Sequence, residues 1–134
     1  MKSYFIFAGK MPKYVCIGSA WETCSYLGEY IKSKAKEALI TMPGCEVWVE
    51  YVDVGLEDDF SSERIQQELI DKKTKNFRIL ESIKLLEKEM PDVLNVKKTK
   101  EVMSEIEEHE SNQIKFSIEQ YINNFEMQMQ NEPQ

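Results

Sequence analysis

Few residues of this chain have side chains that carry catalysis, since it has three cysteines and a single histidine. Cys24 lies near a predicted helix start, where the helix dipole can lower a thiol pKa, but the base that a cysteine nucleophile needs is missing because His109 is far along the sequence. Scattered cysteines and one histidine also lack the paired spacing of a zinc site. The sequence therefore predicts no catalytic residue, no metal and no cofactor. We expect three free thiols that are dispensable for activity: Cys16, Cys24 and Cys45.

An acidic group follows one predicted strand and precedes a predicted helix: Asp53, Glu57, Asp58 and Asp59. Carboxylates at the end of a strand can hold Mg²⁺, but a metal nuclease would add a lysine close to a strand carboxylate, and this strand has none. The simpler interpretation is that the group places negative charge at the positive end of the helix that follows.

The junction after the predicted β-hairpin is the best candidate for a ligand site. Ser19 and Glu22 have the spacing of a capping box, which predicts a helix from about Ala20 to Leu39. A helix start after a strand presents N–H groups that can bind an anion. The glycine pattern of a phosphate-binding loop is absent, so a simple helix cap is the competing interpretation. The candidate ligand residues are the serine of this junction and the aromatic residues predicted to lie near it: Ser19, Trp21, Tyr26, Tyr30 and Trp48.

The elements that position these residues are predicted to form a small sheet with one helix. Aromatic and β-branched residues over 4–8 and 14–17, joined by a link with Gly and Pro, predict a β-hairpin. The alternating stretch 45–54 predicts a third strand. One face of that strand is expected to be core, and the face with Trp48 to be half-exposed or covered by another subunit. The aromatic set is therefore either core packing or an interface.

After residue 59 the pattern becomes helical. Apolar residues at spacings of three and four predict a helical segment that ends at Met90, before Pro91, and a second long helix from about Thr99 to Met127. Within the first segment, the lysine-rich stretch 71–76 has no apolar residue and is either an exposed helical turn or a break. The middle of the second helix is polar and contains His109, which lies among glutamates and is predicted to be solvated.

These elements predict an α+β fold in a single domain. Residues 1–56 form a ββαβ half with a small N-terminal sheet. Residues 59–127 form an antiparallel helical hairpin of two long C-terminal helices, and residues 128–134 form a frayed tail.

The second long helix also predicts a homo-oligomer. It would be about 43 Å long, more than the small sheet covers, and its apolar stripe is wider than one partner helix needs. An exposed stripe of this kind is seldom tolerated, so we expect pairing about a two-fold axis. The competing arrangement is a monomer in which the stripe packs on the sheet around Trp48 and Val52. The expected interface residues are Ile114, Ile118, Tyr121, Ile122 and Phe125.

Composition limits the partners. The net charge of −7 disfavours double-stranded nucleic acid, and a basic protein or groove suits it better. Apolar runs are too short for a membrane span or a signal peptide, so we expect a cytoplasmic protein without membrane association. Two arginines against fifteen lysines are typical of an AT-rich genome and favour a bacterial or phage origin.

Two function classes fit these observations. The first is a non-enzymatic, acidic binding protein that inhibits or sequesters a target, as inhibitors, immunity proteins and anti-defence proteins do. The second is an oligomeric binder of a small, nucleotide-like anionic ligand, with its site at the strand-to-helix junction near Ser19 and Trp21 and at a subunit interface. An enzyme is the third choice, because the catalytic groups are missing.

Overall fold

The computed structural model describes residues 1–55 and 61–116, which form an α+β fold. They divide into two compact units: unit 1 holds the described residues from Met1 to Ser61 with Ile114–Phe116, and unit 2 is Ser62–Gln113. The elements in chain order are β1 (Lys2–Lys10), β2 (Lys13–Trp21), α1 (Leu27–Thr41), β3 (Glu46–Asp53), α2 (Ser62–Glu89), a 3₁₀ turn (Pro91–Val93), α3 (Val96–Ser111) and β4 (Ile114–Phe116).

Unit 1 is built on a four-stranded antiparallel sheet in the order β2-β1-β3-β4. The predicted hairpin is confirmed, and each of its strands is nine residues long. The third predicted strand is confirmed as β3. A β-bulge interrupts the pairing of β1 and β2 between Ile6 and Phe7, so that Ile17 has no direct partner on β1.

The first face of the sheet packs against α1. Side chains of β1 and β3 alternate between the two faces, so Ile6, Ala8, Val47 and Val49 lie together on this one. The buried residues of this core are Ile6, Ala8, Ile31, Ala35, Ala38, Leu39, Cys45, Val47, Val49 and Phe116.

The second face of the sheet is also buried. Phe5, Phe7 and Trp48 are at most 1% exposed, and Ser3 and Glu50 lie among the buried polar residues. The expectation that this face of β3 is half-exposed or covered by another subunit is wrong for Trp48 and Glu50, because both are buried within the chain itself.

The predicted start of the first helix is wrong. β2 continues through Trp21, because Ala20 and Trp21 pair with Tyr4 and Ser3 of β1, and α1 begins only at Leu27. Ser19 is therefore a strand residue and not a helix cap, and the N-cap position of α1 makes no side-chain hydrogen bond.

Unit 2 contains α2, which has 28 residues and is about 42 Å long. The predicted helix up to Met90 is thus confirmed, and residues 71–76 continue it without a break. Their expected exposure is wrong for Lys73 and Asn76, which are buried. After the 3₁₀ turn, Asn95 caps α3 by accepting a hydrogen bond from the Lys98 backbone N–H at 3.0 Å.

The predicted second long helix is wrong beyond Ser111. α3 has 16 residues, and Ile114–Phe116 pair as β4 with β3 instead of continuing the helix. Two C-terminal helices are therefore shown, with Lys73 of α2 in contact with Glu110 of α3, but only the first is long. Of the predicted oligomer interface, Ile114 is a β4 residue and 42% exposed. The other members lie outside the described residues: Ile118, Tyr121, Ile122 and Phe125.

Candidate functional site

The predicted ligand residues lie on different faces of the unit 1 sheet. Ser19 and Trp21 pair with residues of β1 that point to the second face, which is also the face of Trp48. Tyr26 and Tyr30 belong to the α1 region on the first face. The five residues therefore do not line one pocket, and the strand-to-helix junction is displaced from Ser19 to residues 22–26.

Trp48 is packed between aromatic rings. Its ring stacks on Phe7 at 5.0 Å between centroids, and the Tyr14 ring meets it edge-on at 4.6 Å. The Tyr14 hydroxyl donates a hydrogen bond to Glu46 Oε2 at 2.9 Å, which fixes the ring. Because Trp48 is 1% exposed, it is a core residue of the second face and has no surface to offer a ligand.

The thiols and acidic groups of the described residues show no catalytic arrangement. All three cysteines are free. The Cys16 thiol donates to the Gly18 carbonyl at 3.3 Å, and burial raises its pKa, so it is a poor nucleophile. Within residues 1–55 and 61–116, no group of three or more His, Cys, Asp and Glu side chains is placed to hold a metal ion. No helix of this part of the chain is both long and apolar enough to cross a membrane.

A shallow groove separates β2 from α1. Its volume is about 100 Å³, and Ile17, Lys34, Glu37 and Met42 are among its lining residues. Small-molecule pockets usually measure about 300 to 1,000 Å³, so this groove is too small for a nucleotide.

A buried polar network joins the two helices of unit 2. Lys73 Nζ donates to Gln113 Oε1 at 2.8 Å and lies 3.5 Å from Glu110 Oε2. Gln113 Nε2 is 2.9 Å from His109 Nε2. Because the Gln113 oxygen accepts from Lys73, its amide nitrogen must donate to His109, whose Nε2 is then an unprotonated acceptor.

His109 is thus not the solvated residue that the sequence predicted, since it is only 7% exposed. Burial lowers its pKa below the ordinary value; the positive charge of Lys72 lowers it further, Glu110 opposes the shift and Lys73 adds to it. A neutral imidazole that accepts a hydrogen bond fits these surroundings. One sign of this network is visible in the sequence, since His109 and Gln113 follow buried Ile106 at spacings of three and four.

The turn between α2 and α3 presents the most exposed apolar side chains of unit 2. Met90 is 53% exposed, and Val93 and Val96 are each 62% exposed. Leu85, five residues before Met90 and within α2, is 55% exposed. We call residues 85–96 the helical tip. Exposed apolar residues scattered singly are ordinary, whereas several such residues close together in sequence, at the adjoining ends of two helices, indicate a contact surface.

Lysines surround this tip. Residues 84–100 contain five lysines and three acidic residues, in a chain whose net charge is −7. The lysines outside the tip therefore give its two flanks positive charge, whereas residues 85–96 themselves hold Lys88 against Glu87, Glu89 and Asp92. Charge attraction at this surface favours a partner whose rim offers carboxylates to the flanking lysines and basic groups to the acidic residues of the tip.

Comparison with protein-family models, with curated proteins and with solved structures finds no match to this chain.

Proposed function

We propose that this chain is a non-enzymatic binding protein whose helical tip docks on another protein. The observation that carries the proposal is the exposure of four apolar side chains where α2 ends and α3 begins: Leu85, Met90, Val93 and Val96. A turn stiffened at both ends by helices offers apolar side chains that lose little conformational freedom on binding. Interfaces of this kind place apolar residues at the centre and polar residues at the rim.

The chemistry of the tip defines the partner. Met and Val side chains fit an apolar pocket, and the adaptable Met90 tolerates an irregular one. Lys84 and Lys97 flank the apolar residues in sequence, and they match carboxylates on the rim of that pocket. Acidic residues between them match basic groups on the same rim: Glu87, Glu89 and Asp92. The partner is therefore a protein with an apolar depression rimmed by residues of both charges.

The class of protein that this suits best is an inhibitor, immunity or anti-defence protein that sequesters its target in the cytoplasm of a bacterium. Small size, acidity and the scarcity of arginine support this assignment. The two helices would then act as an antiparallel hairpin that presents the tip. Double-stranded nucleic acid and membranes are not partners in this proposal, because the net charge of −7 repels phosphate-rich surfaces.

Photo-crosslinking in the native host tests the proposal. A photoreactive phenylalanine at position 93 should capture a discrete protein, and the same residue at position 40 is the matched control, because Ile40 is 63% exposed but lies on α1. The captured protein is then purified, and its affinity for the chain is measured by calorimetry.

Val93→Asp should weaken that affinity by at least about tenfold, since it places a charge in an apolar contact, while Ile40→Asp should leave it unchanged. Equal capture at positions 40 and 93, or equal affinities of the two variants, would show that the tip is not the binding surface.

The alternative function, an oligomeric binder of a small nucleotide-like ligand, is now less well supported. Its site was expected at a helix start near Ser19, which is a strand residue. A more suitable place is a hollow of about 480 Å³ along α2, whose described lining includes Lys75 and Arg78 beside Ile79 and Ile83. Native mass spectrometry of the purified chain decides this alternative, because a retained anionic ligand would favour it.

A further inference from the structure

β2 is an edge strand of the unit 1 sheet as far as the described strands show. Among the described strands β2 has one neighbour, β1. The Glu22 N–H donates to the Lys2 carbonyl at 2.9 Å, which shows that Lys2 and Glu22 form a hydrogen-bonded pair of the two strands. Because hydrogen-bonded and non-hydrogen-bonded pairs alternate, Ala20 and Gly18 bond to β1, and the backbone N–H and C=O of Ser19 point away from it.

The composition of this edge is unusual for a strand that has to stay unpaired. Residues 14–21 contain no charged residue and no proline, in a chain that is 31% charged. Edge charges and prolines are the common means of preventing strand addition, and here only the bulge at Ile17 and the lysine at the start of β2 remain. Val15, which pairs with the core residue Ala8, is 56% exposed at this edge.

We propose that β2 pairs with β2 of a second copy of this chain, so that two sheets join across a two-fold axis. An antiparallel pair of identical strands is self-complementary, because each copy offers the same outward N–H and C=O groups to the other. Strand addition of this kind gains its affinity from main-chain hydrogen bonds and its specificity from alternate side chains.

A second copy fits this edge because the edge is free of charge. Two identical charged edges would repel each other, whereas the only charged residue of β2, Lys13, lies at the end of the strand. The two-fold pairing also covers Val15 of both copies. The helical tip is not involved, so this inference does not rest on the proposed function.

Light scattering of the full chain tests the dimer. At micromolar concentration the wild type should have twice the monomer mass of 15.8 kDa. Ser19→Pro removes one outward N–H, which the bonds to β1 do not use, and should raise the dissociation constant by about tenfold or more. Ser19→Ala keeps that N–H and should remain dimeric.

Val15→Lys is a second, independent variant that places charge at the edge and should also give monomers. Ile40→Lys is its control, because it replaces an equally exposed apolar residue on α1. Circular dichroism confirms that each variant is folded, and Val15→Lys decides the matter if Ser19→Pro does not fold. A wild-type mass of 15.8 kDa, or a dimer that persists in the folded variants, would overturn the inference.

Discussion

The buried network of unit 2 gives the most direct test of the structure. Gln113→Leu removes the oxygen that accepts from Lys73 Nζ at 2.8 Å and the amide that faces His109. Lys73 is 8% exposed, so water cannot easily replace the lost partner. A hydrogen bond to a charged group contributes about 1.5 to 3 kcal/mol, and Glu110 Oε2 remains 3.5 Å from the ammonium group in this variant. We therefore expect the free energy of unfolding to fall by about 2 kcal/mol.

Urea denaturation at pH 7, followed by circular dichroism, measures this loss as a lower midpoint with an unchanged slope. Gln67→Leu is the matched control, because Gln67 is an exposed residue of α2 that donates to Asp71 at 2.8 Å on the surface. That variant should change stability by no more than about 0.5 kcal/mol. Equal midpoints for Gln113→Leu and Gln67→Leu would refute the argument that the network is buried.

A double variant separates the network from its packing. Lys73→Met together with Gln113→Leu removes both the charge and its acceptor, so no ammonium group is left buried without that acceptor. Such a replacement of a buried polar pair by apolar residues is often close to neutral. We therefore expect the double variant to be more stable than Gln113→Leu alone, a coupling that a double-mutant cycle measures. Strictly additive losses would contradict the proposed contact.

The pH dependence of stability follows from His109. Its pKa is lowered in the folded chain, first by burial and then by Lys72, so the unfolded chain binds more protons just below pH 6.5. Stability from the neutral imidazole is therefore complete above the unfolded pKa and is lost as the pH falls toward the folded pKa. His109→Leu should flatten this part of the pH profile, and an unchanged acid-side slope would show that His109 is not the group responsible.

The remaining predictions concern unit 1. Gly9 has a φ of +148°, and an added Cβ would lie 2.2 Å from the Lys13 carbonyl oxygen, so Gly9→Ala should lower the melting temperature strongly. Gly28→Ala, where nothing lies within 4 Å, should stabilise α1 by about 0.5 to 1 kcal/mol. Trp48→Ala should cost about 3 to 5 kcal/mol in chemical denaturation, because it removes a ring that is 1% exposed. Replacing the three thiols with serine should lower stability most at buried Cys45, and partner binding by the folded protein should be unchanged.

Local patterns predicted the elements that local forces determine. The apolar alternation of the hairpin and of β3, and the helical spacing of α2, are each confirmed. The capping box at Ser19 and Glu22 failed because a long-range contact replaced it. The Glu22 carboxylate accepts from the Lys2 backbone N–H at 2.8 Å, so that it secures the end of the sheet and does not cap a helix.

The prediction of a second long helix is wrong for a related reason. The sequence predicts residues 107–113 as the polar middle of that helix, whereas Asn112 is the C-cap of α3. The three residues after Gln113 pair with the edge of β3 from Val47 to Val49. The spacing of apolar residues in a single sequence cannot indicate this strand pairing, because the hydrogen-bonding partner lies more than 60 positions away in the chain.

The position of His109 shows what the same pattern could have revealed. Val102, Ile106 and His109 of α3, and Gln113 just after it, follow one another at spacings of four, three and four. On α2, the buried Lys73 lies between Leu69 and Asn76 at the same spacings. In both helices, polar residues lie three or four positions from apolar residues, on the face that packs inward. This arrangement indicates a buried polar layer and not two solvated faces. Such a layer favours one register of the helices, because any slip would leave the Lys73 ammonium facing apolar side chains without its acceptors.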